Sequence, residues 1–230
     1  MEVNPLIILG MEPKIVRPIL GVRPKPETCS GCQYASIGKG FCPDWRGAGP
    51  IKLAFLLEAP GSDEILYKEP LVGKSGKLFN YSFLEPLGIG RDEVIISNVL
   101  RCNPPANEYP VGAVSSAAER ACRQYDDFHG ERGDLVPGGI LSFDPNIFVL
   151  TFHPAAVLRT RAYFFLVKEE VKRAYEFTRM GYRPLICTGG KAGALVFPRM
   201  EGNGGLDSWH GHWFHGSFRT ANKENRFVKA

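Results

Sequence analysis

Cys29 and Cys32, in the run CSGC, form a close chelating pair. Thiolates at Cys-x2-Cys spacing serve zinc or an iron–sulfur cluster, and either centre needs two further ligands. Cys102 stands after an apolar run and before Asn-Pro-Pro, and Cys122 stands in a helix-forming stretch. These two are the candidates to complete the set. Cys42 in FCPDW competes for a place, and Cys187 in RPLICTGG reads as a small core hydrophobe. A second cluster, His210, His212 and His215 among Trp209, Trp213 and Phe214, is either a zinc site or a strand with one polar face. The run GKSG at 73–76 lacks the upstream glycine spacing of a phosphate-binding loop, so ATP binding by that device is excluded.

The polar residues that follow apolar runs form another constellation. IKLAFLL at 51–57 runs into EAPG, EVIISNVL at 93–100 contains Asn98, NIFVLTF at 146–152 runs into His-Pro, and RPLICTGG at 183–190 runs into KAG. Each apolar run has strand length and sits between turn residues. Helical patterns are expected near 77–86, over 113–128 and over 160–180, where Phe164, Val167, Val171, Tyr175 and Phe177 recur at near-helical spacing, with a short helix from about 190. Strands alternating with helices predict a three-layer αβα sandwich around a mostly parallel four-stranded sheet, with functional loops at the carboxyl ends of the strands. Residues 1–50, rich in Pro and Gly, predict an irregular arm carrying Cys29 and Cys32, and residues 51–230 the α/β domain, ending in a hairpin.

With 230 residues, 44% hydrophobic and 23% charged, the chain has the makings of a normal core, and disordered or fibrous classes are excluded. No apolar run approaches the roughly 20 residues of a membrane helix. The opening MEVNPLIILGMEP lacks a basic n-region, so a cytoplasmic location is the expectation, and free thiols fit that compartment. A net charge of +4 permits DNA binding without demanding it.

In the order of these motifs the chain resembles the family 4, iron–sulfur, uracil-DNA glycosylases. That family has an N-terminal Cys-x2-Cys, a strand ending in Gly-Glu-Ala-Pro-Gly and a Pro-Phe-Val-Gly loop. Next come a strand ending in Asn-x3-Cys-Arg-Pro-Pro, a helical cysteine and a His-Pro loop. The corresponding residues here are Cys29 and Cys32, LEAPGSDE at 57–64, EPLVGKSG at 69–76, NVLRCNPPAN at 98–107, Cys122 and HPAAVLR at 153–159. The resemblance covers about residues 25–160.

The resemblance implies a [4Fe–4S] cluster on Cys29, Cys32, Cys102 and Cys122, with zinc as the alternative metal. It implies hydrolysis of the bond joining uracil to deoxyribose in DNA, single- or double-stranded, leaving an abasic site. Positive charge builds on the sugar as negative charge builds on the base, so stabilisers of both are needed. Glu58 is assigned to the sugar and the attacking water, and His153 to uracil O2. Asn98 is assigned to the pyrimidine edge, and Ala59, Pro60 and Gly61 to close approach of the base. Because the base must leave the stack, Leu158 is the expected wedge, with Arg159 and Ser75 against the backbone.

Three departures qualify these expectations. Leu57 replaces the glycine before the motif Glu, and Leu71 replaces the Phe that stacks on uracil. Base–aromatic stacking contributes about 1–3 kcal/mol, so reduced activity or a different preferred base follows unless Tyr67 or Phe79 substitutes. Third, the family's Gly-x-x-Ala turn precedes its His-Pro segment, whereas ICTGGKAGALV at 186–196 follows it here. A second reading is therefore a catalytically weak DNA-binding module of the same fold acting in replication or with a protein partner. A third is a zinc hydrolase using the C-terminal histidines.

Overall fold

The structure, a computed structural model, describes residues 27–124, 145–196, 213–215 and 228–229. Four largely apolar strands make the parallel centre of its sheet: β2 (Leu53–Leu57), β3 (Val94–Asn98), β4 (Ile147–Thr151) and β5 (Pro184–Thr188). Every residue of the four is buried, as expected of parallel strands covered on both faces. β3 pairs with β2, β2 with β5 and β5 with β4, all parallel.

The sheet is larger than the expected four strands. β1 (Trp45–Arg46) runs antiparallel to β3 on one side; β6 (Trp213–His215) runs antiparallel to β4 on the other and pairs with β7 (Val228–Lys229). The full order is β1-β3-β2-β5-β4-β6-β7. The strand β1 is too short to carry an alternation, which is why sequence reading leaves it in the irregular arm. The β6–β7 pair corresponds to the expected terminal hairpin. His210 and His212 of the expected histidine cluster lie outside the described residues, and His215 ends β6.

On one face, Phe55, Leu57, Ile96, Val149 and Ile186 form the core with Phe79, Phe83, Val167, Val171 and Ala174. The helical residues come from a π-helical turn over Phe79–Leu84, which continues α2 (Lys74–Leu78), and from α5 (Tyr163–Arg179). α6 (Gly190–Val196) packs on the opposite face, so closely that a Cβ on Gly193 would lie 2.6 Å from Leu150. α3 spans Gly112–Gln124, and residues 125–128 of the expected helix lie outside the described residues.

Two short helices occupy stretches read as loop. α1 (Ser62–Tyr67) follows EAPG, and α4 (Pro154–Arg159) begins at the proline of His-Pro, where a missing N–H costs a helix nothing. Both are six residues long and show no periodicity that a sequence pattern could register.

Candidate active site

A cavity of about 350 Å³ opens at the carboxyl ends of the parallel strands. Its wall includes Leu57, Glu58, Ala59, Pro60 and Gly61 after β2, Asn98 at the end of β3, and His153 and Arg159 after β4. Leu71 and Ser75 close the side formed by the loop into α2. Nine of the ten residues expected in the catalytic, base-binding and DNA-binding sets thus line one space. The tenth, Leu158, does not: it is 49% exposed on the other side of α4 and lines a neighbouring groove.

Glu58 leaves the buried strand half-buried, its peptide fixed by Leu100 N–H, which donates to Glu58 O at 3.0 Å. Its Oε1 accepts from the Lys191 N–H at 3.0 Å, at the start of α6. Gly189 makes this approach feasible: its φ is +92°, and a Cβ there would stand 2.7 Å from the carboxylate oxygen. The exchanged order of the last two units is thus reconciled in space. β5 lies between β2 and β4, so the turn after it meets Glu58 while the His-Pro turn after β4 still faces the same cavity.

Asn98 is 2% exposed, and its Oδ1 is buried with no hydrogen-bond partner among the described residues. A buried unpaired amide oxygen costs about 1–3 kcal/mol, so its persistence on a cavity wall points to a ligand donor. His153 caps α4: its Nδ1 accepts from the Ala155 N–H at 3.0 Å. That bond requires Nδ1 to be unprotonated, which leaves Nε2–H as the donor of the neutral ring. Burial, aided by the charge of Arg159, pushes the imidazole down to about 4, so the ring is neutral at ordinary pH.

The EAPG and EPLVG walls are joined by a residue that sequence reading overlooked. Glu64 is buried; its Oε2 accepts from Gly61 N–H, and its Oε1 from the N–H groups of Val72 and Gly73, all at 3.0 Å. The three-residue interval from Gly61 to Glu64, the spacing of a capping box, was the available signal. Leu71 sits in the same loop at φ +54°, a conformation that strains a side-chain-bearing residue, and it packs into the core. Arg91 holds it there: its guanidinium donates to the carbonyls of Pro70 and Leu71, pairs with Glu69 at 2.7 Å and lies over the Trp45 ring.

Neither expected substitute for the stacking Phe reaches the cavity. Phe79 is core, edge-on to Phe55 at 4.7 Å, and Tyr67 is exposed. The aromatic ring in the cavity wall is Tyr109, from the NEYP loop, whose hydroxyl donates to Glu119 Oε1 at 3.1 Å and whose ring lies under Lys191 Nζ at 5.3 Å.

Behind the cavity, Cys32, Cys102 and Cys122 border one small cluster with Tyr34, Leu100 and Ala118, and Cys29 is in the same turn as Cys32. Burial pushes the Cys122 thiol up to about 11; Cys102 and Cys32 act in the same direction, and Arg101 opposes them. Cys32, Cys102 and Cys122 thus come from three segments to one cluster, with Cys29 in the turn before Cys32. They do not form a compact single-ion site: among the described residues no group of three or more His, Cys, Asp or Glu side chains is placed to hold a metal ion. A set of four thiols is one that both zinc and iron–sulfur centres use. Of the competitors, Cys42 and Cys187 are fully buried, with thiols pushed far up by burial.

No family model matches the chain. It is 40% identical to the type-4 uracil-DNA glycosylase of Archaeoglobus fulgidus over 83 residues, which are 36% of this chain and 41% of that protein. To the type-4 uracil-DNA glycosylase of Saccharolobus solfataricus it is 35% identical over 82 residues, 36% of this chain and 38% of the relative. A longer match, 29% over 166 residues, joins it to the type-4 uracil-DNA glycosylase of Pyrobaculum aerophilum, covering 59% of this chain and 82% of the relative. The chain spans about two fifths of the length of the first two relatives.

Proposed function

We propose that this chain, a relative of the type-4 uracil-DNA glycosylases, hydrolyses the N-glycosidic bond of uracil, or a related deaminated base, in DNA. The observation that carries the reading is the convergence of Glu58, Asn98 and His153, from three strand ends, on one base-sized cavity.

In this reading a flipped uracil enters beside Ala59, Pro60 and Gly61. Asn98 Oδ1 accepts from uracil N3–H, and the same amide donates to O4. Cytosine has no N3 proton and presents a donor where uracil has O4, so it is rejected. The bond from C1′ to N1 breaks with its electron pair going to the base, and His153 Nε2–H donates to O2 as charge gathers there. A neutral donor suits this role, since it stabilises the anion without first requiring a proton from solvent. Water adds to C1′ opposite the departing base; Glu58 orients it, offsets the positive sugar and takes its proton. Ser75 and Arg159 would contact the phosphate backbone, and Leu158 would stand at the duplex side of α4.

Cys29, Cys32, Cys102 and Cys122 would hold a [4Fe–4S] cluster with a structural task, joining the N-terminal arm to the loop behind the cavity. Leu71 favours the second reading, a weakly active DNA-binding module, because a branched aliphatic side chain gives a base less contact than a phenyl ring.

A single-turnover assay on a uracil-containing single strand distinguishes the two. Uracil release by the wild type, reduced about a hundredfold or more in Glu58→Ala and in His153→Ala, is the expected result. Absence of release by a folded, DNA-binding wild type would leave the binding module. Iron and acid-labile sulfide in equal amounts, lost in Cys102→Ser, are expected from anaerobically purified protein; zinc in their place would assign the other metal.

A further inference from the structure

The helix α4 has two working sides. Ala155 and Arg159, one turn apart, face the cavity, while Val157 and Leu158 face a second, apolar groove of about 440 Å³. That groove is completed by Leu78 from α2, Arg161 from the α4–α5 turn, and Phe164 and Phe165 from the first turn of α5.

Phe165 is the unusual member. It is 74% exposed, although the aromatic series behind it runs into the core: Phe83 is buried, Phe164 lies 5.8 Å from it, and Phe165 stands edge-on to Phe164 at 5.4 Å. An exposed phenyl ring on a rigid base, beside half-exposed Leu158, is a stacking platform rather than a folding requirement. Two arginines flank the apolar lining, Arg161 in the groove and Arg159 in the cavity, so the wall shared by the two attracts a polyanion, while the exposed Glu169 stands one turn beyond Phe165.

We infer that this groove is a second nucleobase site, which holds the unstacked base of a nucleotide flanking the one in the cavity, with Arg161 on the intervening backbone. The inference rests on the glycosylase reading for where the flipped nucleotide lies. A base slot of this kind favours single-stranded or locally opened DNA, because a base held in a stacked duplex cannot reach it.

The test is equilibrium binding, which needs no catalysis. The probe is a fluorescent thymine-rich single strand with a tetrahydrofuran abasic nucleotide at its centre, standing for the product. Companion strands carry a further tetrahydrofuran at the 5′ or the 3′ neighbour. Phe165→Ala, at an exposed position, is expected to weaken binding of the first probe about tenfold. The same substitution should have little effect on the companion lacking the base that the groove holds, and Arg161→Ala should reduce the salt slope by about one.

Equal binding of Phe165→Ala and wild type would overturn the inference and give the groove to a protein partner. Equal weakening on all three strands would overturn it as well, by showing that no particular base is recognised. Failure of the glycosylase reading is read separately: the folded wild type would release no uracil from a uracil-containing strand, whether or not it binds these probes.

Discussion

His153 shows how one local hydrogen bond sets the chemistry of a side chain. Because Nδ1 accepts from Ala155 N–H, gaining a proton there would break the cap of α4 and place a charge on the cavity wall. The sign of the consequence follows from a pKa lowered from 6.5 to about 4. Between these values the unfolded chain binds more protons than the fold, so this residue's contribution to stability is fully present above about pH 6.5 and is lost as pH falls towards 4. Uracil release is expected to keep its His153-dependent rate from neutral pH down to about 5 and to lose it as pH falls through 4. A pH–rate profile of wild type beside His153→Gln checks this, and a wild-type break near 6.5 would contradict it. At this scale the convergence on one cavity was legible where a candidate residue stands at the end of an apolar run, as Glu58, Asn98 and His153 do. Glu64 and Tyr109 were not, because what identifies them is partners in other segments: Val72 and Gly73 for the one, Glu119 and Lys191 for the other.

Elements, in turn, are held in place by a few buried polar groups. Arg101 is 1% exposed, yet its guanidinium meets Asp44 in the arm, at 2.5 Å from Nη2 and 3.3 Å from Nε, and donates to Cys122 O in α3 at 3.2 Å. Ser97 in β3 donates to the same Asp44 at 2.7 Å. Arm, strand and helix therefore share one ion pair beside the cysteines. Removing one partner leaves a buried charge unpaired, so Asp44→Ala is expected to destabilise the protein by about 3–5 kcal/mol, measured by urea unfolding. Should the arm merely rest on the domain, the loss would stay below about 1 kcal/mol. Long elements such as α5 were legible from periodicity, but α1 and α4 were not, since six residues complete fewer than two helical turns.

The whole molecule tolerates an exchange of chain order because a parallel sheet gathers its carboxyl ends on one side whatever the order in which strands arrive. The fold class was legible in four apolar runs, whereas the insertion of β5 between β2 and β4 depended on pairings that carry no local mark. The same packing sets a cost at α5. Glu170 is 4% exposed against the sheet, neither carboxylate oxygen has a well-formed hydrogen bond among the described residues, and burial pushes it up to about 7, with the nearby Thr151 hydroxyl and the charge of Arg173 opposing. A raised carboxyl stabilises below its unfolded value of 4.5 and loses that contribution as pH rises through 7, the opposite sense to His153. Glu170→Met is therefore expected to raise Tm by roughly 5 °C at pH 8 and by less at pH 5. Equal shifts at both would show that the carboxyl is not perturbed.

The groups that aim Glu58 and gather the cavity walls are peptide N–H groups: Lys191 for Glu58, and Gly61, Val72 and Gly73 for Glu64. A main-chain donor survives every substitution except proline, so the side chains of Lys191 and Val72 are free to drift without moving the carboxylates they orient. Mutational fragility is thereby concentrated in the two acids and in Gly189, whose missing side chain leaves room for Glu58. A lineage can alter the rim of this cavity extensively, and so explore new ligands, before it disturbs the carboxylate proposed to attend the sugar.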